Sequence, residues 1–391
     1  MTALPDAEWT GRDDLARLVA GLGPDSIRWV GGAVRDTLLG HDVHDIDAAT
    51  THHPDQVMAL LEKVGIRTAP TGIDHGTVTA ILPQGNVEIT TLRKDVSTDG
   101  RRATVAFADD WKDDAARRDF TINALYADPQ SLEITDFFGG LLHMEERRVK
   151  FIGDARERIR EDHLRILRYF RFHARFGCKV DHDAEEACAE LAGTLKGLSR
   201  ERVAMELLNL LALPDPVHAI TRMRHLGVLQ VILPEAGDDE VMTLERLLEV
   251  EMAVEVEPYA MRRLAALLPA DEQVARDVAA RLKLSKDQRK YLACCARRDA
   301  DDIGDPHALA YSVGTDCARD RMLLQAEDPA PVIDWEIPQL PLKGGEIVER
   351  GVKAGPDVAR ILQSVEACWV AEGFPGRARV EELLDAELEA G

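Results

Sequence analysis

The sequence predicts an α+β fold, with a small mixed sheet at the start of the chain and an all-helical remainder. Short apolar runs bounded by glycine, proline or acidic residues, which are typical of strands, cluster before residue 140. Beyond that point the apolar residues recur at helical spacing, and 391 residues suffice for more than one domain. We therefore predict a sheet-containing head at 1–140, a helical neck at 141–235, and a helical body and tail at 236–391.

The elements of the predicted head follow from local patterns of apolar residues, glycine and proline. In chain order they are a helix at 13–20, a strand at 27–30, a helix at 33–39, a second strand carrying 45–47, a helix at 54–64, a hairpin of strands at 77–82 and 86–92, and a strand at 132–138. Residues 93–102 are polar and include glycine, so we predict a mobile loop there. The head is expected to be a mixed sheet with helices on one side.

The charge of the chain limits the kind of partner it can have. A formal net charge of −22 argues against a nonspecific nucleic-acid binder, because phosphate affinity rests on Lys and Arg. The charge is uneven, since residues 147–179 contain eleven Lys or Arg against four Asp or Glu. A local basic strip on an acidic protein suits a specific, transient RNA substrate.

Cysteine usage and hydropathy point to a cytoplasmic protein. The six cysteines show no CxxC pair and no metal-ligand spacing, so we expect reduced thiols. The N-terminus is polar and acidic, unlike a secretory signal. No apolar run approaches the ~20 residues needed to span a membrane, and we expect no membrane partner.

A glycine pair between the first predicted strand and the following helix is the first pattern that suggests chemistry. Gly31 and Gly32 would let the backbone approach a phosphate, and the helix would offer its N-terminus to an anion. Arg35 lies in the first helical turn and would add charge-assisted hydrogen bonds. Taken alone, the same turn also occurs as plain α/β architecture.

Two carboxylates follow at strand spacing. Asp45 and Asp47 alternate with Ile46, so both are expected on one face of the strand, where they repel each other. A divalent metal relieves that repulsion, and oxygen ligands suit Mg²⁺, which uses one or two carboxylates plus substrate phosphates. A phosphate cradle beside a metal site predicts nucleotidyl or phosphoryl transfer, although a lone Asp-x-Asp also fits a solvated strand end.

A second informative stretch lies at 161–177. Its arginines recur three or four residues apart, which places neighbours on one side of a helix, and the absence of lysine favours planar, bidentate recognition. Asp162 and Arg165 stand one turn apart and together offer an acceptor and a donor fork to a base edge. This pair would accept cytosine and adenine, whereas the carbonyl of uracil or guanine would be repelled by Asp162. Intrahelical salt bridges are the alternative interpretation.

Together these motifs resemble the class II tRNA nucleotidyltransferase and bacterial poly(A) polymerase family, within the polymerase-β-like nucleotidyltransferases. The head motif GGxVRDxLLG spans 31–40 and is followed by DxD at 45–47. The second motif, RRDxTxNA, spans 117–124, and EDxLRxLRxxRF at 161–172 matches at every fixed position. The resemblance covers about residues 27–235 and extends more loosely to the remainder, and it implies that the helical body and tail at 236–391 bind tRNA.

The resemblance implies a role for each matching residue. The roles are metal binding and catalysis for Asp45 and Asp47; triphosphate binding for Gly32, Arg35 and Arg118; base selection for Asp162 and Arg165; and further nucleotide contacts for Arg168 and Arg171. It also implies sugar contacts for Asp119 and Asn123. Glu88 is a candidate third carboxylate, or else part of a solvated strand face.

The predicted function is template-independent, Mg²⁺-dependent addition of C, C and A to the 3′ end of tRNA from CTP and ATP. Three alternatives belong to the same family: a poly(A) polymerase, a CC-only enzyme and an A-only enzyme. A noncatalytic nucleotide- or RNA-binding module is an alternative from another class. A Rossmann dehydrogenase is disfavoured because no GxGxxG follows a strand.

Overall fold

The computed structural model describes residues 2–99, 102–108, 110–176 and 179–390. The chain divides into two compact units, Met1–Ile232 and Leu233–Gly391. The strands among the described residues all lie in the first unit: β1 (Ile27–Val30), β2 (Ile46–Thr50), β3 (Arg67–Gly72), β4 (Thr77–Ile81), β5 (Val87–Thr91), β6 (Arg93–Asp99), β7 (Arg102–Phe107), β8 (Leu125–Ala127) and β9 (Ile134–Asp136).

Seven of these strands form one sheet in the order β3-β4-β5-β2-β1-β8-β9. The β2–β5 pair is parallel and the other pairs are antiparallel, so the predicted mixed sheet is confirmed. The helices of the first unit are α1 (Asp13–Leu22), α2 (Gly32–Leu38), α3 (Pro54–Lys63), α4 (Trp111–Ala116), α5 (Gly140–Glu145), α6 (Ala155–Glu161), α7 (Arg165–Phe176), α8 (His182–Leu191), α9 (Arg200–Leu211), α10 (Val217–His225) and α11 (Val228–Ile232).

The two faces of the seven-stranded sheet differ in chemistry. One face packs strand residues such as Trp29 and Ile46 against apolar side chains of α1, α2 and α3, as predicted. On the opposite face, register places Glu88, Asp47, Val30 and Tyr126 side by side across four neighbouring strands. Because paired residues point to the same side of a sheet, two carboxylates lie beside a small apolar cluster.

The second unit is helical. Its helices are α12 (Asp238–Ala253), α13 (Ala260–Ala266), α14 (Glu272–Arg281), α15 (Lys286–Ala296), α16 (Pro306–Val313), α17 (Thr315–Leu324), α18 (Gly344–Glu349), α19 (Pro356–Ala371) and α20 (Arg377–Ala390). It contains its own apolar cores, one of them around Trp369. The α+β class with a helical remainder is therefore confirmed, whereas the three-part division of the chain stays a prediction.

The segment predicted as a mobile loop at 93–102 contains paired strands. β6 and β7 form a two-stranded antiparallel sheet, with Arg93 opposite Phe107 and Asp99 opposite Arg102. The loop prediction was wrong for these residues because backbone pairing in a hairpin does not require a buried apolar face. Gly100 and Arg101 of the predicted loop lie outside the described residues.

The helix predicted through 161–177 is interrupted near its start. α6 ends at Glu161, Asp162 has an extended backbone (φ −147°, ψ 104°), and α7 begins at Arg165. Asp162 therefore lies at a break between two helices rather than one helical turn before Arg165. The side chain of Asp162 accepts a hydrogen bond from the backbone N–H of Leu164 (3.1 Å), which competes with a continuous helical backbone.

The cysteines are not all reduced, contrary to the sequence prediction. Cys294 of α15 and Cys317 of α17 form a disulfide, with their Cα atoms 6.5 Å apart. Cys188, Cys295 and Cys368 are free, and Cys178 lies outside the described residues. The prediction searched for local spacing, whereas disulfide formation depends on which helices pack together.

Candidate active site

A carboxylate cluster lies on the open face of the seven-stranded sheet. Asp47 of β2 is paired in register with Glu88 of β5, and Asp45 directly precedes β2. Burial raises the pKa of Asp47; Arg118 opposes that rise, and the charges of Glu88 and Asp45 add to it. This accumulation of negative charge is what a bound cation would relieve.

At the Gly31 turn the backbone lies close to both the Arg118 guanidinium and the Asp47 carboxylate. Gly31 has φ +73°, a conformation that favours glycine. A Cβ at Gly31 would lie 3.4 Å from Nη1 of Arg118 and 3.8 Å from Oδ2 of Asp47. Gly32 begins α2 directly afterwards. The turn, Arg118 and Asp47 therefore converge on one point.

Arg118 is anchored from behind by a buried polar group. Its Nε donates to the Tyr126 hydroxyl (3.1 Å) and its Nη2 donates to Asp114 (3.3 Å). The Tyr126 hydroxyl in turn donates to the same Asp114 oxygen (2.7 Å). The second oxygen of Asp114 accepts from the backbone N–H of Arg93, the first residue of β6. Asp114 thus connects the root of the β6–β7 hairpin to Arg118.

Arg35 is part of the wall of the site. Its guanidinium makes two hydrogen bonds to Asp36 (2.8 Å each) and one to Oδ1 of Asn123 (2.5 Å). It also lies over the ring of Phe172, 5.1 Å from the ring centroid. Asp36 receives a further hydrogen bond from Arg175 of α7. Most donors of Arg35 are therefore already paired within the protein.

The second motif and α7 meet at a buried carboxylate. Asp119 accepts hydrogen bonds from Asn123 and from the backbone N–H of Phe120, and Arg168 donates to its other oxygen (2.7 Å). Burial by itself raises the pKa of Asp119, but these partners lower it overall. Asp119 is therefore held ionised as the counter-ion of Arg168, which lines the site.

Helix α9 supports the arginines of α7 and the predicted base-selecting residue. Buried Glu206 accepts from Nε of Arg171 (2.7 Å) and lies 3.7 Å from Arg168. One turn earlier on α9, Arg202 donates to Oδ2 of Asp162 (2.8 Å). Neither Glu206 nor Arg202 carries a local sequence signal, because each partner lies 35 or 40 residues away along the chain.

The side chain of Arg165 makes its contacts away from Asp162. Its guanidinium donates to Glu161 (2.6 Å) and to the backbone carbonyls of Arg158 and Arg117. Burial by itself lowers the pKa of Arg168, but nearby carboxylates raise it overall. Asp162 is one of these carboxylates and is therefore close to Arg168. The two residues predicted to select the base therefore lie near the site, joined by a backbone hydrogen bond from Arg165 to the Asp162 carbonyl (3.0 Å), while their side chains do not pair with each other.

A cavity of about 500 Å³ unites most of the predicted site residues. Those that line it are Gly32, Arg35, Asp45, Asp47, Arg118, Arg168 and Arg171. Asp162 and Arg165 do not line it. Five arginines contribute to the lining, Arg175 being the fifth, so the cavity contains both carboxylates and cations. This is the charge pattern of a site for an anionic ligand held beside a metal.

No larger metal-binding cluster is present elsewhere in residues 2–99, 102–108, 110–176 and 179–390. No group of three or more His, Cys, Asp or Glu side chains there is arranged to hold a metal ion. The Asp45 and Asp47 carboxylates are an oxygen-only pair, the ligand type that a cation binding substrate phosphates and water would use.

Comparison with known proteins identifies the family of the chain. Residues 27–150 match the family model described as "Poly A polymerase head domain", and residues 177–239 match the "Probable RNA and SrmB- binding site of polymerase A". The CCA tRNA nucleotidyltransferase 1, mitochondrial, of Mus musculus is 36% identical over 378 residues, covering 92% of this chain and 85% of the mouse protein. The chain belongs to the family of tRNA nucleotidyltransferases and poly(A) polymerases. It is accordingly a nucleotidyltransferase, and dependence on a divalent metal is expected.

Bacterial members of this family are similar over almost the whole chain. The CCA-adding enzyme of Lactiplantibacillus plantarum is 31% identical over 415 residues, covering 98% of this chain and 97% of that protein. The crystal structure of the Bacillus stearothermophilus CCA-adding enzyme in complex with CTP is 26% identical, with a TM-score of 0.77 and coverage of 96% and 98%. The α+β architecture is therefore shared with family members of known structure.

Within the described part of the chain, no helix combines the length and the apolar character needed to cross a bilayer.

Proposed function

We propose that this chain completes the 3′ end of tRNA by adding C, C and A from CTP and ATP. The observation that carries the proposal is the cavity in which Asp45 and Asp47 face Arg118 and the arginines of α7. Family membership supports the same activity, because relatives that span nearly the whole chain are named for CCA addition.

The metal that fits this site is Mg²⁺, held by Asp45 and Asp47. When bound, it would lower the pKa of the RNA 3′-hydroxyl and stabilise the leaving pyrophosphate. Glu88 lies beside Asp47 and is exposed, so its charge would add to the attraction for a cation. The carboxylates themselves would hold the cation and orient it toward the phosphates.

Arg118 is the best placed residue to bind the triphosphate. Its Nη1 lies at the Gly31 turn, while Tyr126 and Asp114 fix the rest of its guanidinium. Arg35, by contrast, has most of its donors paired with Asp36 and Asn123. Arg35 would therefore shape the cavity wall more than it would bind phosphate directly.

Asp162 and Arg165 would select the base. The Asp162 carboxylate can accept a hydrogen bond from the exocyclic amino group that cytosine and adenine share. Arg202 holds Oδ2 of Asp162 and the Leu164 N–H holds Oδ1, which fixes the carboxylate while each oxygen keeps a lone pair that can accept from a base. Arg165 uses three of its five N–H donors on Glu161 and two backbone carbonyls of the described residues, so the others could donate to a base.

The decisive experiment is extension of tRNA transcripts that end before CCA, with Mg²⁺ and with each nucleotide alone or together. Addition of C, C and then A, with no further growth, is the expected result. Arrest at CC would indicate a CC-only enzyme, and addition of A alone would indicate an A-only enzyme. A long A tail would indicate a poly(A) polymerase. The complete absence of extension would favour a noncatalytic binding module.

Replacement of Asp47 tests the site within that assay. Asp47→Asn keeps the shape of the side chain but removes the charge that would hold Mg²⁺, so we expect loss of C and A addition by at least about 10³-fold. Asp55→Asn, an exposed change in the first turn of α3, is the matched control. Near-normal extension by Asp47→Asn would contradict the metal assignment.

We also propose that the protein works in the cytoplasm, where tRNA substrates are available. Fractionation of the source cells followed by immunodetection tests this location. Recovery from an oxidising compartment or an organelle instead would contradict it, and would be consistent with the Cys294–Cys317 disulfide.

A further inference from the structure

Arg158 of α6 connects two parts of the candidate active site without lining its cavity. Its Nη1 donates to the backbone carbonyl of Ala116, the last residue of α4 (3.0 Å). Its Nη2 pairs with the Glu161 carboxylate on its own helix. Its backbone carbonyl accepts from Nη1 of Arg165 (2.9 Å). Arg158 precedes the motif at 161–172 by three residues, so no sequence motif includes it.

The Glu161 carboxylate bridges two guanidinium groups. Its Oε1 pairs with Arg158, and its Oε2 accepts from Nη1 of Arg165 (2.6 Å). The side chains of Arg158, Glu161 and Arg165 are 18%, 15% and 14% exposed, so solvent screens these pairs only in part. A bridging carboxylate that loses one guanidinium can turn toward the other. The position of Arg165 therefore depends on Arg158.

Arg158 and Arg165 both bind carbonyls at the C-terminal end of α4. Arg158 donates to the carbonyl of Ala116, and Nη2 of Arg165 donates to that of Arg117 (3.0 Å). The last carbonyls of a helix have no partner within the helix, and arginine side chains can bind them and interact favourably with the helix dipole. Arg118, the proposed triphosphate-binding residue, follows directly. These two contacts therefore join the base-selecting region to the triphosphate site.

The orientation of the Arg165 guanidinium is set mainly by Arg158 and Glu161. Both N–H donors of its Nη1 are used, one by the Arg158 carbonyl and one by Glu161. One Nη2 donor is used by the Arg117 carbonyl. The remaining two of its five donors have no acceptor among the described residues and are left for a base. A rotation of this guanidinium would move the donors that a base could use.

We propose that Arg158 is a positioning residue for base selection, which holds Arg165, through Glu161, in register with Arg118. This inference rests on the proposed function and adds to it a residue that contacts neither the base nor the phosphates. The base and the triphosphate belong to one nucleotide, so the residue that selects the base must be held at a fixed distance from the residue that binds the triphosphate. A misplacement of about 1 Å is enough to weaken such selection and to slow the reaction.

A purely structural role for Arg158 is the alternative. The arginine would then only stabilise the junction of α4 and α6, and its loss would lower the temperature of unfolding without changing which base is added. Base choice is therefore the measurement that decides between the two roles.

The test uses the full-length protein with Arg158→Met, which keeps an unbranched apolar stem and removes the guanidinium. On tRNA lacking CCA, incorporation of U relative to C at the first added position should rise about tenfold, and kcat/KM for CTP should fall about tenfold. KM for tRNA should match that of the parent. The matched control is Arg156→Met, because Arg156 also lies on α6 and pairs with the carboxylates of Glu186 and Glu190. Its base choice should equal that of the parent.

Two further variants test the route by which Arg158 acts. Arg158→Lys keeps a cation that can bind Glu161 or the Ala116 carbonyl but lacks the planar fork that binds both, so its base choice should lie between those of the parent and Arg158→Met. Arg158→Met added to Arg165→Ala should relax base choice no further than Arg165→Ala alone. A further relaxation in the combined variant would show that Arg158 does not act through Arg165.

Three results would overturn the inference. The first is a base choice in Arg158→Met that equals that of the parent, with only the temperature of unfolding lowered. The second is an equal relaxation in Arg156→Met, which would show a general effect of disturbing α6. The third applies if thermal unfolding shows that Arg158→Met does not fold, in which case an unchanged base choice in Arg158→Lys would decide against the inference.

Nucleotide binding without extension separates this inference from the proposed function. The ratio of CTP affinity to UTP affinity, measured by equilibrium binding in the presence of Mg²⁺, should be lower for Arg158→Met than for the parent and for Arg156→Met. A parent protein that adds no C, C and A would count against the proposed function, and this ratio would still decide the role of Arg158.

Discussion

Arg118 shows how a single side chain is prepared for its task. Burial alone would lower its pKa, but Tyr126 and Asp114 raise it overall, so the guanidinium stays charged inside the protein. Two of its nitrogens are used by these partners, and the third is nearest to Gly31. Pre-organising a cation in this way removes most of the entropy cost of binding a phosphate.

Tyr126→Phe is predicted to loosen Arg118 without disturbing the apolar packing of the ring. The change removes a hydroxyl that accepts from Arg118 and donates to Asp114. We expect KM for CTP and ATP to rise about tenfold, with KM for tRNA unchanged, and the free energy of unfolding to fall by about 1 kcal/mol. Tyr311→Phe, which loses a hydrogen bond to Glu366 in the second unit, is the control. Equal nucleotide KM values in both variants would refute this role.

Asp119 is predicted to contribute stability that depends on pH. Its folded pKa is lowered from 3.8 by Arg168, Asn123 and the Phe120 N–H, despite burial. A lowered folded pKa means that the stabilisation is present above the unfolded pKa and is lost as pH falls through the folded pKa. Asp119→Asn should therefore cost about 3 kcal/mol at pH 7, and the difference should shrink below about pH 4.

Denaturant unfolding at pH 7, 5 and 3.5 measures this effect. The exposed Asp25→Asn is the control and should remain within about 0.5 kcal/mol of the parent. A difference between Asp119→Asn and the parent that is constant over this range would show that the charge of Asp119 is not responsible.

Among the elements, α9 has the largest influence on the site without lining it. Arg202 and Glu206 are four residues apart and so share one face of this helix. One holds Asp162 at the break between α6 and α7, and the other holds Arg171. A displacement of α9 would therefore move the predicted base-selecting residue and the cavity arginines together.

Arg202→Ala is predicted to relax base selection with little loss of stability. The Arg202 and Asp162 side chains are 46% and 34% exposed, so their ion pair is worth less than about 1 kcal/mol. Without it the Asp162 carboxylate keeps only the hydrogen bond from the Leu164 N–H and is held less firmly, so incorporation of U or G should rise about tenfold relative to C. Primer extension with single nucleotides measures this ratio.

A double-mutant cycle verifies that Arg202 acts through Asp162. Asp162→Ala should relax selection to a similar extent, and the combined variant should be no worse than either single one. Arg200→Ala, on the same helix and bonded to the Lys196 carbonyl, is the control. Additive effects in the combined variant would mean that Arg202 acts independently.

At the scale of the whole molecule, each of the two units has its own means of stabilisation. The first packs both faces of its sheet against apolar clusters. The second buries an ionic cluster in which Arg262 and Arg263 pair with Glu251, and Arg262 also pairs with Asp320. The Cys294–Cys317 disulfide lies in the second unit. We therefore expect unfolding of the chain to depart from a single two-state transition.

Reduction of the disulfide is predicted to destabilise the second unit selectively. The bridged cysteines are 23 residues apart, and closing a loop of this length contributes about 3 kcal/mol. Calorimetry with and without dithiothreitol should show one transition shifted downward and the other unchanged. The Cys294→Ser variant should match the reduced protein. Identical profiles with and without reductant, together with six titratable thiols, would contradict the disulfide.

The sequence by itself determined the fold class and the composition of the site. Strand alternation, the Gly31–Gly32 turn and helical spacing depend on residues only a few positions apart, which a linear pattern records. The mixed sheet was confirmed, and seven of the predicted site residues line one cavity, although their individual roles stay predictions. Two local predictions were wrong. The predicted loop at 93–102 contains paired strands, and the helix predicted through 161–177 is broken at Asp162.

Only the tertiary structure decided which partners those side chains have. Glu206 pairs with Arg171 of another helix, Arg202 pairs with Asp162 at the break between α6 and α7, and Asp114 joins the root of the β6–β7 hairpin to Arg118. The disulfide likewise depends on the packing of α15 against α17. Such contacts join segments that are distant in the chain. Which charged residues pair with each other depends on their positions in the folded structure and not on their separation in the sequence. The physical reason is that a buried charged group needs a partner of opposite charge, but no periodic pattern in the sequence indicates which residue that partner is.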